Sequence, residues 1–181
     1  MAAGDIAIFN FPCTEKDKLR FEPENILVKR CVGCPGDSIA INNGYYVNTN
    51  RIYTGIPQAV QQTLSFLDRR RLEDGGDIFS LCCIDTRWDI KDFGPLYIPG
   101  RGDTITLSSD NFSVYRTMIE YETGICPDLD DIGNKYIFNK DYYFFAGDNV
   151  FMSKDSRHFG LVPEDFIVGV VSERSSNMNL R

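Results

Sequence analysis

No apolar run in this chain approaches the roughly 18 residues that a membrane-spanning helix requires. The longest, such as Ile6–Phe11 and Phe166–Val171, are strand-sized. A strand-like pattern begins by Asp5, which leaves no room for an apolar targeting segment. Basic charge is scarce: 19 Lys and Arg stand against 26 Asp and Glu, for a net charge of -7. That balance argues against the clustered cations of a nucleic-acid binder, and no nucleic-acid partner is expected. Histidine occurs once, at His158, and cysteine only six times, at Cys13, Cys31, Cys34, Cys82, Cys83 and Cys126. This density is low for a disulfide scaffold. Cys31-x-x-Cys34 would need a second ligand pair to hold zinc, and only His158 and Cys82–Cys83 could offer one. A thioredoxin-like pair would open a helix, whereas this one ends a strand-like run at Pro35-Gly36. Both cysteines therefore read as small buried apolar residues, and no metal or cofactor is expected.

What the chain does contain is enough apolar material for a core. Its 181 residues, 43% hydrophobic and 25% charged, fit one domain or a domain with a sizeable insertion. Thirteen Phe, nine Tyr and recurring β-branched residues suit pleated surfaces. Short apolar runs at 6–11, 26–32, 38–42 and 45–47 read as strands, with Asn42-Asn43-Gly44 as a tight hairpin turn. A later unit repeats the turn-then-strand pattern, from Pro99-Gly100-Arg101-Gly102-Asp103 into Thr104–Leu107. The triplet Arg101-Gly102-Asp103 reads simply as a turn. Lys135–Phe138 and Tyr142–Ala146 flank Asn139-Lys140-Asp141 as a further hairpin, and Phe166–Ser172 closes the domain. Helical spacing governs only Pro57–Glu73, stopped by Gly75-Gly76, and Asp110–Thr123, stopped by Gly124. The expected organisation is mainly β: a β-core from residues 1–48 and 135–173, an inserted α+β subdomain over 49–134, and a flexible tail at 174–181.

Two places could carry chemistry. Lys29 shares a strand face with Leu27 and Cys31, while Ile26, Val28 and Val32 take the other. Apolar surroundings disfavour a charged ammonium, and a neutral amine near pH 7 is a usable general base. A snorkelling lysine would explain the same pattern. The second place is Gly147–Gly160, which follows an aromatic strand and is dense in Asp, Asn, Ser, Lys, Arg and His. Ordering such a loop costs entropy unless its side chains bond one another. Asp155 and Arg157 could form such a pair.

Three segments together resemble type I signal peptidases, membrane-anchored Ser/Lys endopeptidases that remove signal peptides. They are Gly4-Asp5-Ile6-Ala7-Ile8-Phe9, then Val28-Lys29-Arg30-Cys31-Val32-Gly33-Cys34-Pro35-Gly36-Asp37, then Gly147-Asp148-Asn149 through Ser153, Asp155, Ser156, Arg157, Phe159 and Gly160. The resemblance implies an antiparallel β-core of the signal-peptidase kind. It implies that Lys29 is the general base and Ser153 the hydroxyl that orients it. Asp155 and Arg157 match the pair that shapes the site, with Arg30 nearby and Asp148 and Asn149 in the same scaffold. Ile26, Leu27 and Val28 would lie beside an extended signal peptide bound as an added strand. The implied setting is the periplasmic face of a bacterial inner membrane.

The family's nucleophilic serine lies in a Ser-Met-x-Pro-Thr-like segment before the Gly-Asp strand, together with oxyanion-hole donors. Only Met1-Ala2-Ala3 precede Gly4 here, and the anchor that would precede them is likewise not seen. Val150-Phe151-Met152 replaces a more polar stretch, and Cys31 and Cys34 stand where aliphatic residues are usual. The expectation is a soluble catalytic domain separated from its anchor and inactive as given, since no acyl-enzyme forms without the serine. The competing readings are a non-catalytic relative that binds extended peptides and, more weakly, a repressor-type Ser/Lys autoprotease.

Overall fold

The computed structural model describes residues 1–15, 18–50, 54–67 and 88–171. Strands β1 (Ile6–Glu15) and β2 (Lys18–Gly33) form a long antiparallel hairpin. It extends past Phe11, where the expected strand stops, because Phe11–Glu15 pair with Lys18–Glu22 after a register shift at Asn10. Alternation along β1 sends Ala7 and Phe9 inward and leaves Ile6 and Ile8 half-buried. Three further strands complete this sheet: β8 (Tyr142–Ala146), β9 (Val162–Pro163) and β10 (Ile167–Val171). Their order is β10-β1-β2-β8-β9.

A second sheet, ordered β4-β3-β5, joins β3 (Ser38–Asn42) and β4 (Tyr45–Asn48) to β5 (Phe93–Tyr97). It thus takes strands from both sides of residue 49. Asn43 and Gly44 make the predicted turn at positive φ. Strands β6 (Thr104–Thr106) and β7 (Lys135–Ile137) pair as a third, two-stranded sheet.

That pairing corrects the hairpin expected across Asn139-Lys140-Asp141. β7 pairs with β6, and β8 pairs with β2 and β9. The intervening residues are a crossing between sheets. Asn139 N–H donates to Glu122, and Asp141 accepts from Arg101 N–H. A strand pattern reveals that a strand exists but not which edge it joins.

Helix α1 (Gln58–Phe66) ends earlier than its apolar spacing predicts. Leu67 turns extended, and the Lys91 ammonium donates to the carbonyls of Ser65 and Leu67. The Ser65 and Leu67 carbonyls thus find a partner from the second sheet's side, outside any sequence window around the helix. Helix α2 (Phe112–Thr123) stops where expected, at Gly124, whose φ of 75° is left-handed. The rest of the expected first helix, the Gly75-Gly76 stop, Cys82–Cys83 and the tail at 174–181 lie outside the described residues.

β2 and β8 separate two apolar clusters. Cys31 and Phe145 face the smaller one with Ala7, Phe9 and Phe166. Val32, Phe144 and Ala146 face the larger one, filled from α1, α2 and the second sheet. Among the described residues, no helix is long and apolar enough to cross a membrane.

Candidate functional site

Lys29 stands opposite Ala7 on β1 and is half-buried. Its strand pairs with β1 along one edge. Along the other it pairs with β8 only from Arg30 onward, where Arg30 meets Ala146 and Cys31 meets Phe145. Gly147 follows Ala146, one residue past the last pair of that ladder. Alternation puts Lys29 and Cys31 on one face of β2.

The space beside the Gly147 Cα is filled by Ser153. A Cβ built on Gly147 would lie 2.1 Å from Ser153 Oγ and 2.5 Å from its Cβ. The missing side chain of Gly147 is therefore the space that Ser153 occupies. Ser153 is buried and its Oγ has no hydrogen-bond partner. Among the described residues no side-chain hydrogen bond or ion pair engages Lys29, whose backbone lies in the ladder with β1. A buried hydroxyl without a partner is costly, so its bonding capacity is held in reserve at this place.

The loop behind Ser153 is built around one buried ion pair. Asp155 and Arg157 are both fully buried, with Nε–Oδ1 and Nη2–Oδ2 bonds of 2.8 Å. Asp155 also accepts from the backbone N–H of Gly147 and of Arg157. Arg157 Nη2 donates to the Val150 carbonyl, and Ser156 Oγ accepts from Phe145 N–H. Burial by itself would raise the Asp155 carboxyl. The neighbouring His158 ring, the Arg157 charge and hydrogen bonds, and the Gly147 N–H outweigh that and hold it far below the usual carboxylate range. His158 Nδ1 accepts from Asp155 N–H, closing the turn into the short helix α3 (Ser156–Phe159). Its position is that of a cap, and no group of metal-ligating side chains occurs among the described residues.

Arg30 serves the opposite face of β2. Its Nε and Nη2 donate to Asp148 at 2.7 Å each, and its Nη1 donates to the Gly4 carbonyl at 2.7 Å. Asp148 is half-exposed, whereas Arg30 is mostly covered. Arg30 thus ties the N-terminal turn to the start of the loop. Asn149 is exposed and offers its carbonyl to Met152 N–H. Ile26 and Val28 are exposed, while Leu27 packs on the smaller core. Because the β8 ladder reaches only Arg30, the β8-side edge of Ile26–Val28 is unpaired among the described residues.

Three participants escape sequence reasoning. Gly55 lets Arg30 lie flat, since a Cβ there would sit 2.5 Å from Arg30 Cδ and 2.9 Å from Gly4 Cα. Tyr46 is buried close enough to Arg157 and Asp155 to feel both charges, and burial pushes its phenol up. The Gly4 carbonyl receives Arg30. Each is a contact across many residues, and no local pattern announces it. The role of Gly147 had a partial signal, its place directly after an aromatic strand.

The family model described as signal peptidase, peptidase S26, matches residues 1–175. A signal peptidase I of Enterococcus faecalis V583, known from its crystal structure, aligns over 95% of this chain and 97% of that chain, at 16% identity and a TM-score of 0.44. No curated protein matches the chain.

Proposed function

Since the chain belongs to the signal peptidase family, we propose that it carries the base and scaffold of a signal-peptide-cleaving Ser/Lys site at the extracytoplasmic face of a bacterial inner membrane. What supports this reading is the slot at Gly147, just past the end of the β8 ladder on the Lys29 strand, which the unpartnered Ser153 Oγ fills. A hydroxyl there can accept from a lysine amine and aim its lone pair, which is what a general base requires. The Asp155–Arg157 pair holds the loop that presents the hydroxyl, and Arg30–Asp148 holds the two strands' neighbours in place. Ile26–Val28 supply the open strand edge on which an extended signal peptide pairs, with backbone bonds giving affinity and side-chain pockets giving specificity.

The nucleophile does not come from the described serines. Ser156 Oγ is taken by Phe145 N–H, and Ser153 is the orienting hydroxyl. Ser38 begins β3, Ser65 and Ser113 lie on helices, and Ser108 and Ser109 precede α2. On this reading the described serines form no acyl-enzyme, and Ser80, Ser172, Ser175 and Ser176 lie outside the described residues. The test is to incubate it with a preprotein bearing an Ala-x-Ala site, and to titrate it with the isolated signal peptide by NMR. The expected result is no cleavage, with shifts confined to Ile26–Lys29 and their neighbours on β1. Specific cleavage would overturn the inactivity, and a peptide that leaves those resonances unmoved would overturn the site.

A further inference from the structure

Cys31 and Cys34 are both buried, and their sulfurs lie 3.7 Å apart. Burial agrees with the reading of two small apolar residues, but two aliphatic side chains would have served that purpose. A disulfide holds its sulfurs ~2.05 Å apart, so the pair needs to close by about 1.7 Å. We propose that Cys31 and Cys34 are a dithiol–disulfide couple, open to thiol–disulfide exchange with small or protein disulfides, whose state is coupled to the docking of residues 1–5. The inference stands apart from the peptidase reading, because it concerns a modification of this chain and not its action on a substrate.

The coupling follows from what lies over the pair. Cys31 holds the N-terminal turn at both backbone groups: Gly4 N–H donates to its carbonyl, and its N–H donates to the Asp5 carbonyl. Cys34 Sγ lies 4.0 Å from the Met1 carbonyl, as its donor, and Ala3 packs against the same apolar cluster. Residues 1–3 therefore cover the sulfurs. Cys31 is also two residues from Lys29 on the same strand face.

The reaction runs in two exchanges. Cys34, the more accessible at 4% against 0%, loses its proton and attacks one sulfur of an oxidised glutathione. A mixed disulfide forms and one glutathione leaves, taking up a proton. Cys31 then attacks the Cys34 sulfur, the protein disulfide forms, and the second glutathione leaves with the second proton. Two electrons pass from the pair to the oxidant. Cys31 does not begin the sequence, because its hydrogen bond with Cys34, and then burial, hold its thiol far above the ordinary range. Oxidation is thus slow unless residues 1–3 lift.

Trypsin cleaves after Arg30 and Arg51, and the peptide between them contains Cys31 and Cys34 and no other cysteine. The full chain is equilibrated in glutathione mixtures from reduced to oxidised, quenched in acid, unfolded, alkylated and digested. The expected result is a peptide two hydrogens lighter that refuses alkylation, appears over one midpoint, and reverts with dithiothreitol. Amide exchange at Gly4 and Cys31 should differ several-fold between the two forms, and Cys34→Ser should leave Cys31 unmodified. Full alkylation of both cysteines in the most oxidised mixture would overturn the couple. So would glutathione retained on either one, or pairing with a different cysteine. Oxidation with unchanged exchange at Gly4 would overturn the coupling to the N-terminal turn.

Discussion

Two arginine–carboxylate pairs hold the Gly147–Gly160 loop, in nearly identical geometry and opposite surroundings. Arg157 meets Asp155 in two 2.8 Å bonds with both side chains fully buried. Arg30 meets Asp148 in two 2.7 Å bonds, with the carboxylate half in water. Bond length does not distinguish them; desolvation does. A buried pair that loses one member leaves a charge with nowhere to go, whereas an exposed one is replaced by water. The first therefore shapes the loop that carries Ser153. The second is a tether between the N-terminal turn and the loop's entrance.

The largest effect separating them should come from Asp155→Ala, which strands the Arg157 guanidinium. The expected loss is roughly 3–5 kcal/mol in urea unfolding. A loss no greater than that of the exposed pair would break the comparison.

Acid should separate the pairs next. Because the folded Asp155 carboxyl is depressed, its contribution is fully present above the unfolded value of about 3.9 and fades as pH falls through the lower folded value. Asp165, depressed mainly by its bond with Lys140, adds a contribution of the same sign. Melting temperature should therefore fall steeply at strongly acid pH, and Asp155→Asn should flatten that slope relative to its own neutral-pH value. An unchanged slope would show that the buried carboxylate is not the titrating group.

A smaller effect, about 1–3 kcal/mol, is expected from Gly147→Ala, which drives a methyl into Ser153. Adding Ser153→Gly should recover most of it, and failure to recover would mean that Gly147 serves its backbone instead of its neighbour. The smallest effect belongs to Asp148→Ala. It should cost below about 1 kcal/mol in unfolding, yet it should speed amide exchange at Gly4, whose carbonyl shares Arg30. Equal exchange in the two proteins would deny the tether.

Much of the site was legible because strands alternate. Lys29 and Arg30 are neighbours that serve opposite faces, and a period of two predicts that without coordinates. The density of hydrogen-bonding side chains between two glycines predicted an internally bonded loop, and Asp155 with Arg157 is its centre. The helix stop at Gly124 was equally local. What could not be read was partnership. Lys135–Phe138 looked like half of a hairpin with Tyr142–Ala146, yet Lys135–Ile137 pairs with Thr104–Thr106, and Glu122 and Arg101 hold the connecting residues as a crossing. The end of α1 depended on Lys91, two dozen residues away.

By itself the sequence determined a mainly β chain, the strand that bears Lys29, and the three segments that mark the family. These follow from periodicity and residue chemistry, which act over a few residues. Only the tertiary structure decided that Gly147 cedes its space to Ser153, that Gly55 admits Arg30, and that Cys31 and Cys34 lie beneath the N-terminal turn. Those depend on register and close packing between distant segments, where a shift of one residue would send each side chain to the other face.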